Sequence, residues 1–320
     1  MHAALVESFD APPRYTEFAD PVPAEDEVLV AVTAVGLHPI VRALAAGRHY
    51  GSTGVLPFIP GVDGVGRLDD GSRAFFGAAR TPFGTFAERC VTARNRCMAI
   101  PGNLDDVTVA AMMNPGMSSF AALTQRIEFS AGQSVLIVGA TGSAGQLAVQ
   151  IARRLGAARI VAAGRNPQAL EELRSLGADA TISLNLPTDA LVSAFRDEIA
   201  GHRIDVILDY VWGPPAECVL AAIAQKGLDH TGARIRYVQI GSIAGPAISL
   251  PAATLRSSGL EMVGSGFGSV SLDKLFQSLA TFLQEAAKAP FRISTVAVPL
   301  RDVETLWNAP ESAGRLVFQP

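Results

Sequence analysis

Gly139, Gly142 and Gly145 recur at every third position in SVLIVGATGSAGQLAVQIARRLG (134–156), with Thr141, Ser143 and Ala144 between them. Glycines at that spacing let a backbone turn tightly and approach a ligand that any Cβ would hold off. The apolar run 134–138 leads into the turn. Leu147, Ala148, Ile151, Ala152 and Leu155 follow at helical spacing, and Gly156 suits a left-handed C-terminal cap. A helix that starts at such a turn presents unpaired N–H groups and the positive end of its dipole, which suits a pyrophosphate. Glycine-rich turns also serve strand-to-helix packing alone, so the elements around the triplet decide between the two.

About twenty positions beyond the glycines, a dinucleotide site for NAD carries an acidic residue that accepts from the ribose 2′-hydroxyl. Here that stretch reads Ala163, Gly164, Arg165, Asn166. No carboxylate repels a phosphate there, and a guanidinium can grip one with two parallel hydrogen bonds, so the sequence predicts NADP(H) over NAD(H). In the alternative, Arg165 is a solvated loop residue and the cofactor is NAD.

The elements that must position these residues are legible downstream. RIVAA (159–163), PQALEELRSLG (167–177), ATISL (180–184), IDVILDY (204–210), a helix from Pro214 and IRYVQIG (235–241) alternate strand with helix. That order predicts an α/β fold with a doubly wound parallel sheet covered on both faces. The residues before 117 read as β-rich: HAALVES and EVLVAVTAV alternate or run apolar, and Gly and Pro punctuate APP (11–13), PVP (21–23), LPFIPGVDGVG (56–66) and GAARTPFGTF (77–86).

With 320 residues, 49% hydrophobic and 18% charged, the chain is long enough for two domains with sizeable cores. A net charge of −4, from 26 Lys and Arg against 30 Asp and Glu, argues against nucleic acid as a dedicated partner. No apolar run is long enough to span a bilayer, and Glu7 and Asp10 stand where a signal peptide needs a positive start, so a cytoplasmic protein with no membrane partner is expected. Cys90, Cys97 and Cys218 lack CxxC spacing, and the reading is of small buried or semi-buried residues with no redox role.

VGLHPIVRALAAG, LPFIPGVDGVGRL, FGTFAERCVTA, GATGSAGQLAVQIARRLGA, IDVILDYVWG, YVQIGS and GRLVFQP occur in an order that resembles the medium-chain dehydrogenase/reductases, in particular their zinc-free quinone-oxidoreductase (zeta-crystallin-like) branch. The resemblance covers essentially the whole chain. It implies a Rossmann NADP(H)-binding domain at 117–267 inserted into a GroES-like catalytic domain made of 1–116 and 268–320, with the active site in the cleft between them. It also implies cofactor contacts at Asn114 and the stretch 116–119, at Gly241 and Ser242 where a strand ends, at Ser265, Gly266 and Phe267 through backbone groups, and at Arg315 near the pyrophosphate. Trp212 stands where many relatives have glycine, either at the adenine or ribose rim or packed between strand and helix.

Zinc-dependent members of that superfamily need Cys or His ligands with an open position. In this chain the early cysteine position is His38, the Gly-His-Glu stretch reads Gly61, Val62, Asp63, and no cysteine lies between Met112 and Phe120. A structural lobe would need four close cysteines, so neither a catalytic nor a structural zinc is expected.

Hydride from the cofactor, added to an enone or quinone, leaves charge on an oxygen that needs a donor and then a proton. On the resemblance, Tyr50, in Gly47-Arg48-His49-Tyr50, falls near a tyrosine that lines the substrate cleft, and either donates to that oxygen or packs at a loop edge. His38 replaces an asparagine of zinc-free relatives. It either acts in the cleft, where a histidine can deliver a proton near neutrality, or is held neutral by a backbone carbonyl. The family's aspartate three positions later is Val41, and Arg42 beside it either binds an anionic substrate group or is a surface arginine. The expected activity is zinc-independent, NADPH-dependent reduction of a quinone, enone or related small-molecule carbonyl by a homodimer joined through the sheet edge at 259–266. The alternatives are an alcohol dehydrogenase or aldehyde reductase of the same fold, and a non-catalytic NADPH-binding protein.

Overall fold

The computed structural model describes residues 1–224, 233–310 and 314–320, and the chain divides into two compact units, Met1–Pro115 with Leu279–Pro320, and Gly116–Ser278. In the first unit β1 (His2–Leu5) and β2 (Arg14–Glu17) form an antiparallel pair. β3 (Glu27–Gly36), β4 (Asp63–Arg67), β5 (Arg73–Gly77), β6 (Arg89–Ala93) and β7 (Cys97–Ala99) join in antiparallel ladders. The valine-rich β3 is long because its β-branched residues suit a pleated surface with neighbours on both edges, β4 and β6.

Helix α1 (Pro39–Ala45) starts at Pro39, where a missing N–H leaves no bond unmade. Its Arg42 is half-buried and donates from Nε to the Trp307 carbonyl at 2.8 Å and from a terminal nitrogen to the Ala309 carbonyl at 3.2 Å. This corrects both sequence readings of Arg42: the guanidinium ties α1 to a segment from the far end of the chain. Helix α2 (Asp106–Ala121) carries the chain across the boundary between the units.

The second unit alternates β8 (Ser134–Val138), α3 (Ser143–Arg154), β9 (Arg159–Gly164), α4 (Pro167–Leu176), β10 (Ala180–Ser183), α5 (Thr188–His202), β11 (Val206–Asp209), α6 (Gly213–Ile223), β12 (Arg234–Gln239), α7 (Ala252–Arg256) and β13 (Gly259–Gly264). The strands form one parallel sheet in the order β10-β9-β8-β11-β12-β13. Every residue of β8 is buried, so both faces of the sheet are covered, as a parallel sheet requires. This is the doubly wound α/β architecture expected from the alternation. The unit runs on past 267 to Ser278, and Arg126 holds this stretch by donating to the carbonyls of Gly264 at 2.8 Å and Ser269 at 3.0 Å.

Helix α8 (Leu272–Lys288) returns the chain to the first unit, where β14 (Thr295–Pro299), α9 (Val303–Leu306) and β15 (Arg315–Gln319) complete it. β15 pairs parallel with β14 and antiparallel with β3, so the two ends of the chain share one sheet. Its core gathers Phe86 against Trp307 and Phe318, with ring centroids 5.8 and 5.7 Å apart. No described helix is long and apolar enough to cross a membrane.

Candidate functional site

The three glycines after β8 do three different things. Gly139 adopts φ +90°, a backbone that L side chains rarely take, and its N–H and that of Ala140 donate to the Ala163 carbonyl at 2.9 and 2.8 Å. Gly145 lies in the first turn of α3, where a Cβ would fall 2.5 Å from Ala140 Cα and from the Gly139 carbonyl oxygen. Gly142, the N-cap of α3, has φ −80° and ψ 164°, which any residue adopts, and a Cβ there would come no nearer than 4.0 Å to the Gly139 carbonyl. The sequence reading that Gly142 serves a tight turn is thereby corrected: φ > 0 falls at Gly139, and neither conformation nor packing demands glycine at 142. Gly164, at the end of β9, lies so close to the Thr141 side chain that a Cβ would overlap it.

Arg165 is exposed beside this turn, and its carbonyl accepts from Asn185 Nδ2 at 2.8 Å. Asn166 caps α4, accepting the Ala169 N–H at 3.1 Å, so its Oδ1 is engaged and Nδ2 is the group left for a ligand. Ser242 is exposed, and Ser265 donates its N–H to the Gln239 carbonyl at 2.8 Å. The Gly266 N–H donates to Ser269 Oγ at 2.9 Å and its carbonyl accepts from the same hydroxyl at 2.7 Å, so a ligand contact there requires Ser269 to give way. Phe267 is 41% exposed.

The carboxyl ends of β11 and β12 hold a cluster that sequence reasoning missed. Asp209 is fully buried, its Oδ1 accepts the N–H groups of Val211 at 2.8 Å and Trp212 at 3.1 Å, and its Oδ2 accepts the Tyr237 hydroxyl at 2.6 Å. Burial raises the Asp209 carboxyl above the ordinary carboxylate value, and the three donors partly offset this. Trp212 adopts φ +55° and ψ −157°, a glycine-like conformation, and its ring meets Tyr237 edge-on at 6.2 Å. Of the two sequence readings of Trp212, the structure shows the packing one. Tyr210 lies between two glycines: a Cβ on Gly139 would fall 3.2 Å from Tyr210 Cβ, and one on Gly241 would fall 2.5 Å from the Tyr210 carbonyl oxygen. The signal for the cluster was the aspartate that opens DYVWG.

In the first unit, His38, Asp63 and Asn114 come together. His38 is 1% exposed, its Nε2 lies 3.6 Å from Asp63 Oδ1, and Asn114 Nδ2 donates to Asp63 Oδ2 at 2.7 Å. Gly36 makes room for the imidazole, since a Cβ there would fall 2.5 Å from His38 Cε1 and Nε2. Neither His38 nitrogen has a hydrogen-bond partner among the described residues, so the backbone-carbonyl reading of His38 is corrected. Tyr50 is 73% exposed, its ring 4.1 Å from that of His49. Arg315 is buried on β15 and donates to the Leu37 carbonyl at 2.9 Å. Among the described residues no group of three or more His, Cys, Asp or Glu could hold a metal ion. Burial pushes the Cys90 and Cys97 thiols up to about 12 and about 11, far from the thiolate range at neutral pH.

Residues 144–285 match a family model described as zinc-binding dehydrogenase. Over 364 aligned positions the chain is 30% identical to the "Probable NADPH-dependent quinone reductase tdiC" of Emericella nidulans, with all of both chains covered. It is 32% identical to the human quinone oxidoreductase over 167 positions, about half of each chain (49% and 50%). Among solved structures, the quinone oxidoreductase of Thermus thermophilus, also determined with NADPH, superposes with a TM-score of 0.82 at 26% identity over the whole of both chains. The chain belongs to the medium-chain dehydrogenase/reductase superfamily, in its quinone-oxidoreductase branch.

Proposed function

We propose that this protein is a zinc-independent oxidoreductase that takes hydride from NADPH and gives it to a quinone, an enone or a related carbonyl compound. The observation that carries the nucleotide half is Gly142, where the missing Cβ leaves room that no atom of the described residues uses, at the head of a helix with unpaired N–H groups. The residues present fit NADP(H): the Ser143, Ala144 and Gly145 N–H groups would meet the pyrophosphate, and the exposed Arg165 would meet the 2′-phosphate. When bound, the dinucleotide supplies the hydride. The chain's part is to hold it, orient the acceptor and meet the charge that develops on oxygen. The tdiC and Thermus relatives are named for NADPH or solved with it, which supports the same reading here.

On this reading Gly116–Ser278 is the NADP(H)-binding domain and the unit built from both chain ends is the GroES-like catalytic domain. His38 and Tyr50 are the proposed groups for proton delivery. Zinc independence is supported by the donor set, since His38 and Asp63 face each other with no third ligand type beside them among the described residues. We further propose a cytoplasmic homodimer formed at β13, the last strand of its sheet, whose only ladder partner among the described residues is β12. NADPH oxidation with a quinone, an enone and an aldehyde, in a strong chelator, tests the activity. Turnover of the quinone or enone with chelator present is expected. Binding of NADPH without turnover of any acceptor, or stoichiometric zinc whose removal stops the reaction, overturns it.

A further inference from the structure

β8 lies between β9 and β11, so the chain winds away from it in both directions, and ligands of such sheets bind at the carboxyl ends of the strands where the winding reverses. Arg165 follows β9 on one side of that crevice and Tyr210 follows β11 on the other. A dinucleotide with its 2′-phosphate at Arg165 and its pyrophosphate on the glycine turn must therefore carry its nicotinamide riboside to the β11 side. Tyr210 is placed there with little freedom. Its N–H donates to the Val138 carbonyl at 3.0 Å, Gly139 and Gly241 close on it from either side, and Asp209 fixes the two residues after it through their N–H groups. Its hydroxyl lies 3.1 Å from Ser118 Oγ on α2.

We infer that the Tyr210 hydroxyl, steadied by Ser118, is a hydrogen-bonding contact for the nicotinamide riboside half of the cofactor; this rests on the nucleotide reading above. The Ser119 hydroxyl also bonds the phenol, and whichever of the three hydroxyls donate, the phenol oxygen keeps either its proton or a lone pair for a ribose hydroxyl. Burial pushes the phenol up to about 12, so it stays neutral at physiological pH. Neither Tyr210 nor its partnership with Ser118 follows from the glycine motif, because the contact joins residues 92 positions apart.

The test is calorimetric titration of the full chain with NADPH and with adenosine 2′,5′-bisphosphate, which carries the adenine and 2′-phosphate and lacks the nicotinamide. Tyr210→Phe should bind NADPH roughly threefold to tenfold more weakly, the effect of one lost hydrogen bond, and the bisphosphate as the parent does. Ser118→Ala should give a smaller loss in the same direction, and it decides the matter should the phenylalanine variant fail to fold. Unchanged NADPH affinity overturns the inference. Equal loss for both ligands also overturns it, because Tyr210 would then be a prop of the whole turn. Failure of the parent protein to bind either ligand overturns the nucleotide reading itself.

Discussion

The Tyr237 hydroxyl donates to Asp209 at 2.6 Å across neighbouring parallel strands, and both side chains are fully enclosed. The same carboxylate holds the backbone of Val211 and Trp212, so one buried group ties two strand ends together. Its pH dependence follows from its raised pKa. The folded protein keeps the Asp209 proton over a range where the unfolded chain, near the ordinary value of 3.8, has lost it. Stability is therefore favoured below that value and falls as pH rises through the raised one. Asp209→Asn removes the titration, so its melting temperature relative to the parent should rise from acid toward neutral pH. A constant difference at every pH would refute the assignment. Tyr237→Phe leaves Oδ2 without its donor and should cost about 1–3 kcal/mol in denaturant unfolding.

The glycine turn separates fold from binding. Gly142→Ala places a methyl group in open space and should leave the melting temperature unchanged while weakening NADPH at least about tenfold by displacing the pyrophosphate. Gly145→Ala drives a Cβ into the backbone of 139 and 140 and should destabilise the chain by about 1–3 kcal/mol. Equal NADPH affinity in Gly142→Ala and the parent would remove the main support for the nucleotide site.

Arg165→Glu exchanges a guanidinium for a carboxylate at the proposed place of the 2′-phosphate. NADPH binding should weaken about ten- to hundredfold, matching the roughly 1.5–3 kcal/mol of a charge-assisted hydrogen bond, with far less change for NADH. An equal loss of both cofactors in a binding titration would place the phosphate elsewhere.

Proton delivery is tested by removing one group at a time. Tyr50 is exposed, so Tyr50→Phe should leave stability alone and lower kcat by about ten- to a thousandfold with little change in NADPH affinity. His38→Asn restores the residue of the zinc-free relatives and should be milder. Full kcat in both variants would assign the proton to water.

What the sequence made legible was local. The alternation from 134 to 241 fixed the strands, helices and glycine turn because each depends on neighbours a few residues away. The contacts that shape the site join distant segments. Asp209 meets Tyr237 only because β11 and β12 are adjacent in register, and Asp63 meets Asn114 across 51 positions. Arg42 reaches Trp307 across 265. No periodicity encodes which strands become neighbours. Gly142 shows the reverse case: the motif identified the residue, and its φ and its open surroundings show that the fold itself does not require a glycine there.

The pairing of β3 with β15 also sets the order in which the chain can become complete. A ribosome finishes Gly116–Ser278 while residues 315–319 are still unmade, so the inserted unit can close its sheet first. β3 meanwhile has β4 on one edge and β6 along Glu27–Ala31 of the other, so only the end of that second edge, at Val35 and Gly36, waits unfilled, and such an open edge is a template for pairing with other chains. The vulnerable species during synthesis is thus the early segment of the first unit, and its protection arrives with the final strand.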